Sequence, residues 1–169
     1  MVTTGYRFRN WARTQRCRPA QYHQPSSEAG LIAIVRQAAE AEARVRVVGA
    51  GHSWSDIVLT DQWLVNLDHY GQLLEVDHGA QTITAQAGMR LRDLNLALAE
   101  EGLALSAQGS VAEQSLGGLI ATGTHGTGIT FPNFSGMVVA LSLVMADGEV
   151  RALTAADGAL FSAACLGLG

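Results

Sequence analysis

Hydrophobic positions recur along the chain with two different periods. Leu31, Ile34, Val35 and Ala38 fall at helical spacing behind Pro25-Ser26-Ser27-Glu28, which reads as a helix start, so the pattern predicts a helix ending before Arg44. Val45, Val47 and Val48 predict a short buried strand that runs directly into Gly49-Ala50-Gly51-His52. Residues 63–67 read as another strand, and 73–77 and 81–85, separated by His78-Gly79-Ala80, alternate in polarity as the two arms of a hairpin do. Leu91, Leu94 and Leu98 form one stripe of a helix over 90–101, with Gly102 placed to end it.

Beyond Leu103 the pattern changes. Ser106-Ala107-Gln108-Gly109-Ser110 reads as a loop, and 113–121 is small, glycine-bearing and only mildly apolar ahead of the turn Gly123-Thr124-His125-Gly126-Thr127-Gly128. Residues 138–145 predict a strand, Asp147-Gly148 a tight turn, 149–153 the partner strand, and 160–165 a last short helix. Hairpins mixed with helices predict an α+β or mixed α/β chain of two small lobes, with the break between residues 78 and 110. The chain stops on Leu166-Gly167-Leu168-Gly169 with no polar tail, which predicts that a larger protein continues past it.

Composition narrows the classes. With 169 residues, 48% hydrophobic and 15% charged, the chain can bury a core and is not a disordered segment. A net charge of −4 argues against a nucleic-acid partner or an anionic membrane surface, because both need clustered Lys and Arg, so any phosphate is expected on backbone groups. Cys17 and Cys165 have no companion at metal-ligand spacing, which predicts reduced thiols, no metal and a cytoplasmic protein. Arg7, Arg9, Arg13, Arg16 and Arg18 crowd the N-terminus without the apolar stretch of a secretory signal, and no run reaches the ~18 apolar residues of a membrane span.

The 19 glycines, against three prolines, cluster where apolar segments end. Gly49-Ala50-Gly51-His52-Ser53-Trp54 follows a strand and gathers peptide N–H groups that can converge on phosphate oxygens, although Trp54 breaks the G-x-G-x-x-G dinucleotide pattern. On spacing alone it is either a plain turn or a nucleotide loop. Gly109-Ser110, Ser115-Leu116-Gly117-Gly118 and Thr122 to Gly128 alternate hydroxyls with bare backbone, which suits a diphosphate and equally suits a pair of capped turns. His23, His69 and His78 have no catalytic or metal-binding company, whereas His52 and His125 each sit inside a glycine turn.

These loops, taken in order with Asn10-Trp11-Ala12, Ala87-Gly88-Met89-Arg90-Leu91-Arg92-Asp93-Leu94-Asn95 and Ala146-Asp147-Gly148, resemble the vanillyl-alcohol-oxidase-type (PCMH-type) FAD-binding flavoproteins. Within them the likeness is to the sugar-1,4-lactone oxidase and alditol oxidase subfamily. The resemblance implies an α+β FAD-binding domain over 1–169, its mixed sheets flanked by helices, in two lobes of about 10–90 and 91–169, with FAD extended between them. It implies cofactor contacts from Val48, Gly49, Ala50, Gly51, His52, Ser53, Trp54, Gly109, Ser110, Ser115, Gly118, Thr122, Gly123, Thr124 and His125. At the position of His52 such proteins bond a ring nitrogen to the flavin 8α-methyl carbon, and Gly109 matches a small residue lining the flavin's oxygen-reactive face. The implied reaction is hydride transfer from a CH–OH group of a sugar lactone or polyol to flavin N5, with oxygen or another acceptor reoxidising the flavin.

Family members continue into a substrate-binding cap domain that this sequence lacks, so no catalytic residue is assignable here. The chain alone is expected to be inactive, and self-association is expected through the surface a cap would cover. A non-catalytic FAD-binding fragment, or a reductase of the same fold with noncovalent FAD, are the alternatives.

Overall fold

Four short strands precede the first predicted helix in the computed structural model, which describes residues 2–168; Gly169, the last residue of the apolar ending, lies outside them. They are β1 (Val2–Thr3), β2 (Phe8–Arg9), β3 (Arg16–Cys17) and β4 (Gln21–His23). Helix α1 (Glu28–Glu40) starts where the sequence predicts, the Ser27 hydroxyl accepting a hydrogen bond from the Gly30 amide at 3.1 Å. The valine run is β5 (Val45–Val48), and β6 (Trp63–Asn66) is buried along its whole length.

That burial follows from the sheet order β1-β4-β6-β5, in which β6 lies between β4 and β5 and pairs parallel to both. A parallel strand covered on both faces reads as a continuous apolar run, as Trp63-Leu64-Val65 does. Phe8, Tyr22, Val48 and Leu64 form the core beside this sheet.

The hairpin β7 (Leu73–Asp77) and β8 (Thr82–Ala85) is antiparallel, as is β9 (Ala140–Val144) with β10 (Val150–Thr154). Helix α2 (Leu91–Glu100) turns Leu91, Leu94 and Leu98 into a second core with Met89, Leu116, Leu119 and Phe134, and Leu73 and Ile83 of the hairpin pack against it. Gly102 ends α2 with φ +69°, a conformation that favours glycine. The stretch with no periodic signal contains α3 (Leu116–Ala121), and the chain closes with α4 (Ala159–Cys165). The architecture is α+β, mixed parallel and antiparallel sheets flanked by helices. Among the described residues no helix is long and apolar enough to cross a membrane.

Candidate functional site

The first glycine loop leaves the C-terminal end of β5, and the N-terminal segment holds it in shape. The buried Asn10 side chain donates to the Ser53 carbonyl at 3.0 Å and accepts from the Gln15 amide at 2.9 Å. The Trp11 amide donates to the Gly51 carbonyl at 2.8 Å, and the Gln15 side chain donates to the Trp54 carbonyl at 3.2 Å. These bonds use the loop's carbonyls and leave its donors free: among the described residues, the amides of Gly51, His52, Ser53 and Trp54 find no protein acceptor. Gly51 turns the chain with φ +68°.

The second loop meets the first through Ser115. An isolated antiparallel bridge pairs Arg90 with Ser115, fixed by the Leu91 amide on the Gln114 carbonyl and the Leu116 amide on the Met89 carbonyl, both 2.9 Å. This buries the Ser115 hydroxyl, which accepts from the Ala50 amide at 3.2 Å. The same contact explains Gly49, where a Cβ would lie 1.7 Å from the Ser115 Oγ. Gly126 is likewise required by the protein itself, since its Cβ would fall 2.4 Å from the Gln108 carbonyl oxygen. At Gly109 and Gly118 a Cβ would meet its nearest atoms at 3.5 and 3.6 Å, ordinary contact, so the protein's own packing does not require glycine at either position.

His52 is half-buried and stacks on Trp11, the ring centroids 4.9 Å apart and the planes 19° from parallel. Burial, followed by the charge of Arg90, lowers its pKa below the ordinary value of 6.5, with Glu113 opposing weakly, so the imidazole is neutral near pH 7. Arg90 is held by an ion pair to Asp68 and by the Glu113 carbonyl at 3.1 Å. Further along, the Thr122 hydroxyl donates to the Gly118 carbonyl at 2.7 Å and lies 3.4 Å from the Thr124 hydroxyl, and His125 Nδ1 donates to the Gly126 carbonyl at 2.8 Å. Ser110 and Trp54 are exposed, Val48 is in the core, and Gly123 takes φ +63° beside Leu166.

The structure thus brings Gly49 to Trp54 against Ser115 and the start of α3, and joins Gly109 to the 122–126 turn across the Gln108–Gly126 contact. Val48 and Ser115 are buried, so the side chain of neither is offered to a ligand. Asn10, Trp11, Gln15 and Arg90 support the site without having been assigned any role in it; their signals were the Asn10-Trp11 pair and the stretch containing Arg90 that carry the resemblance. The free amides and the neutral imidazole match the needs of a diphosphate and an aromatic ring system. Among the described residues no group of three His, Cys, Asp or Glu could hold a metal.

Residues 19–154, from the lead-in to β4 through the end of β10, match the FAD binding domain family, and the chain belongs to it. It is 45% identical over 147 residues to the L-gulonolactone oxidase of Scyliorhinus torazame, which covers 87% of this chain and 33% of the relative. It is 42% identical to the L-gulono-1,4-lactone dehydrogenase of Mycobacterium tuberculosis, over 94% of this chain and 37% of the relative. The chain therefore spans about a third of the length of the curated relatives it matches. A solvent-stable cholesterol oxidase superposes on all of this chain and 36% of its own, with a TM-score of 0.87 at 23% identity, and shows the same fold.

Proposed function

We propose that this chain is the FAD-binding portion of an oxidoreductase that oxidises a CH–OH group of a sugar lactone or polyol, with the flavin tethered through His52. The observation that carries the reading is the seating of one glycine loop on the other through Ser115, which sets the neutral His52 ring beside a row of free amides. Bound FAD supplies a hydride acceptor at N5. The chain's own residues would bind and orient it: the amides of residues 51–54 would take phosphate oxygens, and Gly109, Ser110, Gly118 and the Thr122 and Thr124 hydroxyls would line its path. His52 would hold the flavin through a ring nitrogen bonded to its 8α-methyl carbon, that carbon losing a proton and the flavin gaining two electrons that oxygen or another acceptor removes, and Trp11 stacks on the imidazole.

The two core clusters serve as the cores of two lobes in this reading, the β7–β8 hairpin packing with the second. The relatives are named oxidase and dehydrogenase, so either oxygen or another acceptor is compatible with this site. No substrate-binding or catalytic group is assigned to this chain, and the free Cys17 and Cys165 fit a reducing, cytoplasmic setting.

The test is to produce the chain with FAD, precipitate it with acid and record mass and visible absorbance of the washed pellet beside His52→Ala. One added FAD mass with a yellow pellet, both lost in the variant, is expected. Because burial lowers the His52 pKa, attachment should persist in more acid solution than an unperturbed histidine would allow and fall only below that range. Flavin that is bound but released by acid would remove the tether and leave a noncovalent domain; no flavin at any stage would remove the reading.

A further inference from the structure

The end of the parallel sheet away from the glycine loop is ringed by arginines. Arg18, Arg44 and Arg46 line a depression of about 340 Å³ with Cys17 and Asp61, at the N-terminal ends of β4, β5 and β6. An adjoining depression of about 430 Å³ is lined by Arg7, Arg9, Arg16 and Arg18 and shares Cys17. The expectation that this acidic chain lacks clustered cations is therefore corrected, because folding brings residues 7–18 beside 44–46. The chain contains no lysine, so six of its 11 cationic side chains, all arginine, meet here in a molecule of net charge −4.

The cluster is not neutralised from within. Asp61 approaches Arg44 at 3.8 Å, both side chains well exposed, and among the described residues no carboxylate lies within 4.0 Å of Arg7, Arg9, Arg16, Arg18 or Arg46. The β2–β3 register places Arg9 directly opposite Arg16. Like charges at opposed positions of an antiparallel pair weaken it, so an anion that neutralises them relieves that cost. Guanidinium forks match the paired oxygens of phosphate and carboxylate, and both volumes fall in the range of small-ligand pockets, about 300–1,000 Å³.

We infer that this arginine groove binds a small, multiply charged anion bearing two or more phosphate or carboxylate groups, at a site separate from the flavin loops. A long polyanion fits poorly, since beyond the groove it would meet an acidic surface. Binding neutralises the Arg9–Arg16 pair and ties the hairpin to the sheet, so the ligand stabilises the fold by mass action.

The purified chain should be titrated with tripolyphosphate and, separately, with citrate, against sodium chloride of equal ionic strength, following calorimetric heat and thermal midpoint. Saturable binding and a rising midpoint are expected from at least one of them; tripolyphosphate alone assigns a phosphate ligand, citrate alone a carboxylate. The double variant Arg18→Gln/Arg46→Gln should weaken binding at least tenfold, while Arg151→Gln, on β10 outside the groove, should not change it. Arg9→Gln should raise the midpoint without anion and blunt the further rise with it, an outcome that a merely destabilised variant does not give. No saturable binding, or binding undiminished in the double variant, overturns the inference.

Discussion

Two glycines that look alike in sequence do different work. The Gly49 Cα faces the Ser115 hydroxyl so closely that a methyl group would overlap it, whereas at Gly109 a methyl group would make only ordinary contact, 3.5 Å from the His125 carbonyl oxygen. Gly49→Ala should therefore cost about 1–3 kcal/mol of overpacking and break the Ala50–Ser115 bond, while Gly109→Ala should leave stability within about 0.5 kcal/mol. Denaturant melts of the two variants check this; equal midpoints would mean that Ser115 rotates away and that the two loops are not held together by it. In the proposed function Gly109 lines the flavin, so a Gly109→Ala variant that melts like the parent and still alters the oxygen reactivity of the FAD-loaded protein would report that contact.

Among the elements, the N-terminal segment has the largest effect on the site relative to its length. Asn10 is 3% exposed, and its side chain bonds to Thr14, Gln15 and Ser53, so Asn10→Ala should destabilise the chain by about 2–3 kcal/mol, near 1 kcal/mol for each hydrogen bond lost. Hydrogen exchange should show the loss concentrated in residues 51–54; an even loss across the chain would mean that Asn10 supports the core rather than the loop. Long elements were legible in the sequence because each repeats a period: α1, α2 and the two hairpins lie within a few residues of where the pattern put them. β1 to β4 were not, since two- or three-residue strands hold too few positions to show alternation, and Gln21-Tyr22-His23 becomes central only by pairing with Trp63-Leu64-Val65. Nor was α3, whose Gly117 and Gly118 are poor helix formers; it is set by the Arg90–Ser115 bridge and by the Gly117 amide donating to the Ala87 carbonyl at 2.8 Å. The site followed the same division: the glycine loops and His52 could be read from spacing and resemblance, but the bonds that shape them join residues 10 to 53 and 50 to 115, separations that no local pattern encodes.

At the scale of the whole molecule, the loops of the candidate site carry large apolar side chains in water. Trp54 is 68% exposed, Phe131 53%, and Ile129 fully so. Trp54 belongs to the first glycine loop, and Ile129 and Phe131 follow the second within three residues. Exposed apolar surface of this kind drives association. Reversible self-association of the isolated chain through these side chains is the expected outcome, to be measured by sedimentation velocity across a concentration series. The arginine groove offers a competing route, in which the cations of one copy meet the acidic surface of another, and salt separates the two. Charge-driven contacts weaken as the Debye length falls from about 10 Å at 0.1 M salt to about 3 Å at 1 M, whereas sulfate strengthens apolar burial. Association that persists in high sulfate and is lost in Trp54→Ser/Ile129→Ser is the expected result. Association abolished by salt would move the contact to the groove, and a monomer at every concentration would mean that these side chains fold back against their own loops in solution.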